Sequence, residues 1–309
     1  MADACAHTGQ RTVAIVLNAA RSHQEITTFA RAGIPVMVVL TGTDLYGALA
    51  PDATGSERYG QAEKAMHTAS LLLTLQEEAK NEVQQRWPKL ADRVHSIIQT
   101  SPQRSPHAPR ITPNSKTVRF LIAAHIREEK DPRTAFLAFH KAFPDGWAVR
   151  SEGRRVPVRL IHVGGRRDKS LAQELMQMGS NYPGILLEGS LSHAQTMRQM
   201  THVHCLVQPS VSEGGALVVS EAVACRLPIL ASNIPSHRSQ LGADYPGLFP
   251  VGSVSGLAEL MTRFVGDQAL VDSLFAREAG LISKLATPSH EREALAALVR
   301  RLSEFLPKE

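Results

Sequence analysis

Along the chain, short apolar runs rich in β-branched residues alternate with longer amphipathic segments. The runs cover 13–17, 35–40, 70–75, 94–99, 119–124, 158–163, 184–187, 204–208 and 227–231. Between them, 133–142, 170–178, 194–200 and 216–225 read as helices. Strands written as unbroken apolar runs are buried on both faces, and helices between them supply the cover. The pattern therefore predicts an α/β chain with parallel sheets. A stretch at 101–116 carries four prolines among Ser, Gln and Arg with almost no apolar periodicity, which reads as a linker. The expected organisation is a first α/β domain over 1–100, the linker, a second over 117–288, and a C-terminal helix over 289–309. In that helix Leu295, Leu298, Leu302 and Leu306 repeat at helical spacing.

Composition narrows the function without choosing it. The 309 residues are 43% hydrophobic and 20% charged, as in an ordinary globular protein. A net charge of +5 points to an anionic partner. The densest basic cluster, between Arg150 and Arg167, is broken by apolar strand residues, so a phosphate-bearing small molecule accounts for the charge better than nucleic acid. Three cysteines, at 5, 205 and 225, fit neither a disulfide framework nor a metal-binding pair. No apolar run approaches the roughly 20 residues that span a bilayer, and the first residues lack the apolar core of a signal peptide. The expectation is a reduced, cytoplasmic protein with no stable membrane insertion.

The most informative stretch is Pro209-Ser-Val-Ser-Glu213-Gly-Gly-Ala-Leu-Val-Val-Ser-Glu221. An apolar strand ends, a polar loop follows, and Gly214 and Gly215 lead into a helix with Ala216 at its start. Unpaired N–H groups there sit at the positive end of the helix dipole, and glycine lets a ligand approach the backbone. Glu213 in the loop and Glu221, eight residues on and about two turns along, would present carboxylates to a set of hydroxyls. Taken alone, the two acids fit equally well a helix N-terminal acid and a surface glutamate.

This E-x7-E arrangement resembles the donor-binding signature of the retaining glycosyltransferases of family 4, and the following Pro228-Ile-Leu-Ala-Ser-Asn-Ile-Pro235 resembles the strand and loop after it. The resemblance covers about 118–251. It implies a GT-B fold, two Rossmann-like domains facing across a cleft, with Glu213 on the donor sugar, Glu221 on the ribose and Gly214, Gly215 and Ala216 offering backbone contacts. Upstream, Ala124-His125-Ile-Arg127-Glu-Glu-Lys130-Asp-Pro132 resembles the loop where an arginine and a lysine clamp the diphosphate. Lys130 matches the lysine; His125 stands at the arginine position with Arg127 two residues on. By residue type alone, the same stretch also reads as a solvated charged turn. His162-Val-Gly164-Gly165 resembles the family's next strand and glycine turn, and Leu187-Glu-Gly189-Ser-Leu191 the segment beside the base.

In the first half, a strand ends in Thr41-Gly-Thr43-Asp44-Leu-Tyr46, bringing hydroxyls and a carboxylate to a sheet edge where α/β proteins bind ligands. Asp44 also fits a helix cap. With Arg21 upstream, this run resembles the selenosugar synthases of selenoneine biosynthesis, which join selenophosphate to the sugar of a UDP-sugar. That implies UDP-N-acetylglucosamine or UDP-glucose as donor, and Arg21, Thr41, Thr43 and Asp44 on the acceptor side. Such enzymes begin with a further strand and helix that 1–11 is too short to supply, so the N-terminal domain is expected to lack its first strand–helix unit. No D-x-D occurs, and no bound metal is expected. A transferase to a carbohydrate or lipid acceptor, and a non-catalytic sugar-nucleotide binder, are the alternative readings.

Overall fold

A computed structural model of the chain describes residues 12–100, 107–112, 115–150 and 153–306. Residues 1–11 and much of the expected linker lie outside these. In chain order the elements are β1 (Ala14–Leu17), α1 (His23–Arg31), β2 (Val36–Leu40), α2 (Glu57–Thr68), β3 (Leu71–Thr74), α3 (Glu77–Arg86), β4 (Val94–Ser96), β5 (Val118–Ala123), α4 (Pro132–Ala142), β6 (Trp147–Val149), β7 (Arg155–Val163), α5 (Lys169–Asn181), β8 (Ile185–Gly189), α6 (His193–Met200), β9 (Cys205–Gln208), α7 (Leu217–Ala224), β10 (Ile229–Ser232), α8 (Pro235–Leu241), β11 (Leu248–Phe249), α9 (Val254–Gly266), α10 (Gln268–Leu281) and α11 (Pro288–Ser303). They form two compact units. The first comprises 1–100, 213–215 and 286–309; the second comprises 101–212 and 216–285.

The first unit holds a four-stranded sheet in the order β1-β2-β3-β4, parallel throughout. Every residue of β2 and β3 is buried, as their unbroken apolar runs require. At the edge, β1 leaves Ile15 and Leu17 exposed. One face of the sheet packs on Ile26, Ala62, Met66 and Val83 from α1, α2 and α3. The other face presents Met37, Val39, Leu71 and Leu73 to Leu298 and Leu302 of α11. Burying each of those two leucines contributes about 1.5–3 kcal/mol. Helix α11 is further tied down where the Thr100 N–H donates to Glu291 Oε2 (2.9 Å) and Arg301 donates to the Asp92 carbonyl (3.2 Å).

The second unit holds a seven-stranded sheet in the order β11-β10-β9-β5-β7-β6, with β8 also on β7. The long β7 pairs with β5 along one edge and shares its other edge between two strands: its first three residues pair antiparallel with β6, and its last four pair parallel with β8. All other pairings are parallel. Its core is aromatic, with Phe120 against Phe264 (5.6 Å between ring centroids) and Phe139 against Phe143 (5.4 Å). The fold is therefore α/β with parallel, Rossmann-like sheets. Two strands were not anticipated. Strand β6 has three residues, exposed-buried-exposed, and β11 has two, so neither carries an apolar run.

Candidate active site

In the second unit, the chain leaving β5 and the chain leaving β7 are laced together. The Ala124 N–H donates to the Val163 carbonyl (3.0 Å), Ile126 N–H to Gly165 O (2.9 Å), and Asp168 N–H to Ile126 O (3.0 Å). Gly164 is at φ +151°, and a Cβ there would lie 1.9 Å from the Ala124 carbonyl oxygen, so only glycine fits. The Gly165 N–H donates to His125 Nδ1 at 2.9 Å. Partial burial, and then the positive charges of Arg167, Arg127 and Lys130, hold His125 below the ordinary histidine value. A neutral imidazole that accepts at Nδ1 carries its proton on Nε2. His125 is thus a neutral donor, and the positive charge of these loops resides on Arg127, Lys130 and Arg167. Arg127 pairs with Glu129 at 3.4 Å. Lys130 ends a short 3-10 turn, held next to α4 by Asp131, whose left-handed backbone (φ 42°) lets its carboxylate accept from the Thr134 N–H at 3.2 Å.

Helix α7 starts at Leu217, with Ala216 as an N-cap that provides no side-chain hydrogen bond, so its first N–H groups are not capped by a side chain. Gln240 steadies this start by donating to the Ala216 carbonyl and to Ser220 Oγ, both at 3.1 Å. Glu221 is the fifth residue of the helix, just over one turn in; the two turns expected from spacing assumed that the helix began nearer Glu213. It is 5% exposed, and its Oε1 lies 2.6 Å from His193 Nε2. Leu191 is half-buried against the same core.

The segment 213–215 belongs to the first unit. Gln76, itself buried, donates to the carbonyls of Gly214 (2.6 Å) and Glu213 (3.3 Å). Gly42 (φ +96°) and Gly214 meet backbone to backbone: a Cβ on either would lie 2.2–2.4 Å from main-chain atoms of the other segment. Beside them, Asp44 is fully buried, and its carboxylate accepts from the N–H groups of Ala19 (3.0 Å), Thr41 (2.9 Å), Gly42 (3.0 Å) and Leu45 (3.1 Å). Burial pushes its pKa up, against the pull of these bonds. Asp44 is spent on shaping the loop. Asn18, at φ 68°, donates from one amide nitrogen to Thr41 Oγ1 and Thr43 Oγ1, both at 2.9 Å. Arg21 is exposed, its N–H bonded to Asn18 Oδ1 (2.9 Å). Sequence reasoning missed Asn18, Gln76, Arg167 and His193. Of these, only His193 had a signal: it is the first residue inside a Ser-x-x-Gln cap at the start of a periodic segment.

Among the described residues, no group of three or more His, Cys, Asp or Glu could hold a metal ion, and no helix is long and apolar enough to cross a membrane.

Residues 104–277, more than half the chain, match the family described as glycosyl transferases group 1. The chain belongs to that family. It is 28% identical over 209 residues to an exopolysaccharide phosphotransferase of Streptomyces coelicolor, a match that takes in 65% of this chain and 20% of that protein. The chain thus spans about a fifth of the length of that curated relative. Among solved structures it resembles sucrose-phosphate synthase of Thermosynechococcus elongatus (TM-score 0.76, 16% identity, 97% of this chain and 76% of that one). It also resembles Anabaena HepE in complex with UDP and glucose (0.72, 13%, 93% and 78%). A third likeness is to Staphylococcus aureus TarM in complex with fondaparinux, α-GlcNAc-glycerol and UDP (0.69, 12%, 92% and 54%). At these identities the likeness is one of fold.

Proposed function

We propose that this group 1 chain is a cytoplasmic, metal-independent glycosyltransferase that takes its sugar from UDP-N-acetylglucosamine or UDP-glucose and joins it to selenophosphate. The observation that carries the donor half is Glu221: a buried carboxylate, one oxygen anchored on His193, just over one turn into a helix whose start has no side-chain cap. That arrangement suits a ribose diol beside a phosphate group. The UDP in complexes of HepE and TarM is consistent with it. In the reaction, the bond from sugar C1 to the diphosphate oxygen breaks, UDP leaves with the electron pair, and a selenium lone pair forms the new C1–Se bond. Lys130 and Arg127 stabilise the charge that grows on the departing diphosphate. His125 donates its Nε2–H to it without adding charge, Glu213 holds the sugar hydroxyls, and Gly164, Gly165, Gly214, Gly215, Ala216 and Leu191 shape the donor's bed. On the acceptor side, Arg21 pairs with the phosphate group, and the hydroxyls of Thr41 and Thr43, aligned by Asn18, line the approach with Asp44 beneath them.

The acceptor half rests on the Thr41–Tyr46 run and Arg21. The test is mass spectrometry of purified protein with each UDP-sugar and selenophosphate, following UDP and a selenium-bearing sugar. UDP release with a selenosugar product supports the proposal. Donor binding and sugar transfer to a glycan instead would establish the carbohydrate reading that the exopolysaccharide relative favours. Binding of UDP with no turnover on any acceptor would mark a non-catalytic binder.

A further inference from the structure

We infer that His193 is a positioning residue for the nucleoside end of the donor, holding the Glu221 carboxylate in the orientation that receives the ribose diol. This rests on the UDP-sugar reading above. The pair is asymmetric. Glu221 is buried on α7, whereas the His193 side chain is 64% exposed. A carboxylate accepts only, so at 2.6 Å the histidine Nε2–H is the donor. His193 is the sole hydrogen-bond partner of that carboxylate among the described residues, and Oε2 takes no bond from any of them. A buried carboxylate with one partner is costly for a fold to keep unless something else uses it. Oε2, together with the spare lone pair on Oε1, can accept from two adjacent hydroxyls.

The placement of His193 is itself built. It is the first residue of α6, and a reciprocal cap sets where that helix begins: Ser192 Oγ accepts from the Gln195 N–H (3.3 Å), and Gln195 Oε1 accepts from the Ser192 N–H (2.9 Å). The cap thus fixes the backbone that carries the imidazole, and the bond to Glu221 holds the side chain before a nucleotide arrives. A histidine whose role is only to stabilise the surface would not discriminate between nucleotides that differ by one hydroxyl.

That difference supplies the test. Isothermal titration of the whole chain with UDP and with 2′-deoxy-UDP measures how much affinity depends on the ribose 2′-hydroxyl. The expected result is that His193→Ala weakens UDP about tenfold, the scale of one hydrogen bond to a charged group, and weakens 2′-deoxy-UDP by less than about twofold. His193→Gln, whose amide N–H reaches the place of Nε2, should restore most of the loss. With the intact enzyme, KM for the donor should rise while kcat changes little. Equal losses on both nucleotides, or no loss on UDP in a protein that prefers UDP to its deoxy form, would overturn the positioning role. Wild-type protein with no affinity for UDP would overturn the donor reading itself, and this inference with it.

Discussion

Replacing Glu278 with Gln should make the second unit more stable at pH 8 and above, and slightly less stable at pH 5. Glu278 is fully buried on α10, accepts from the Tyr245 hydroxyl at 2.6 Å through Oε1, and has no partner at Oε2 among the described residues. Burial pushes its pKa from 4.5 to about 8, only partly offset by the bond from Tyr245. Below pH 4.5 the carboxyl is protonated in both the folded and the unfolded chain. Between 4.5 and 8 the fold keeps a proton that the unfolded chain has released, so stability falls as pH rises through this window and levels off above 8. At 1.36 kcal/mol per pH unit, the full loss is on the order of 4–5 kcal/mol. Glutamine still accepts from Tyr245 but cannot ionise, so this slope disappears. Its extra N–H, unpaired where Oε2 stood, costs about 1 kcal/mol at every pH. The two stability curves should therefore cross between pH 5 and 7. Calorimetry of both proteins from pH 5 to 9 measures this, with a gain of several degrees in the melting temperature of the variant at pH 8–9. A constant offset at all pH values, or a variant less stable at pH 9, would refute the reasoning.

On the proposed mechanism, which assigns the Lys130 ammonium to the departing diphosphate, Lys130→Ala should lower kcat by roughly a hundredfold or more with little change in melting temperature; unchanged turnover would remove it from the reaction. Arg167→Ala removes the strongest of the three positive neighbours of His125 and should move the histidine titration upward, read from its imidazole proton shifts by NMR; a downward move would contradict the lacing of the two loops. Gly164→Ala places a methyl 1.9 Å from the Ala124 carbonyl at a backbone angle suited to glycine. It should cost about 3 kcal/mol or more in urea unfolding and weaken UDP binding; a variant within experimental error of wild type would show that the loops separate freely.

Much of the architecture was legible because the parallel strands of both units are buried on both faces and so appear as unbroken apolar runs. Strand β6 escaped because an antiparallel edge of three residues leaves Trp147 and Val149 exposed and carries no such run. Spacing singled out Glu213 and Glu221, whereas the partners that tertiary contact brings to them, Gln76 and His193, left no trace in that spacing. Asp44 shows the limit. A sequence can present a carboxylate at a strand end, but only the folded loop shows four backbone N–H groups converging on it. His193 and Glu221 are 28 residues apart, and no periodicity predicts that one would orient the other.

Helix α11 covers a sheet built from residues 14–96, which are made long before it, and this has a consequence for biosynthesis. While a ribosome is still making the second unit, Met37, Val39, Leu71 and Leu73 lie on a sheet face with no lid, because Leu298 and Leu302 have not been translated. Nascent domains ordinarily mature in the order of synthesis. Here the β1–β4 sheet is completed only after the second unit has been made. The nascent chain therefore carries an open apolar face through the whole synthesis of the second unit, a surface for chaperones at the tunnel exit until α11 emerges.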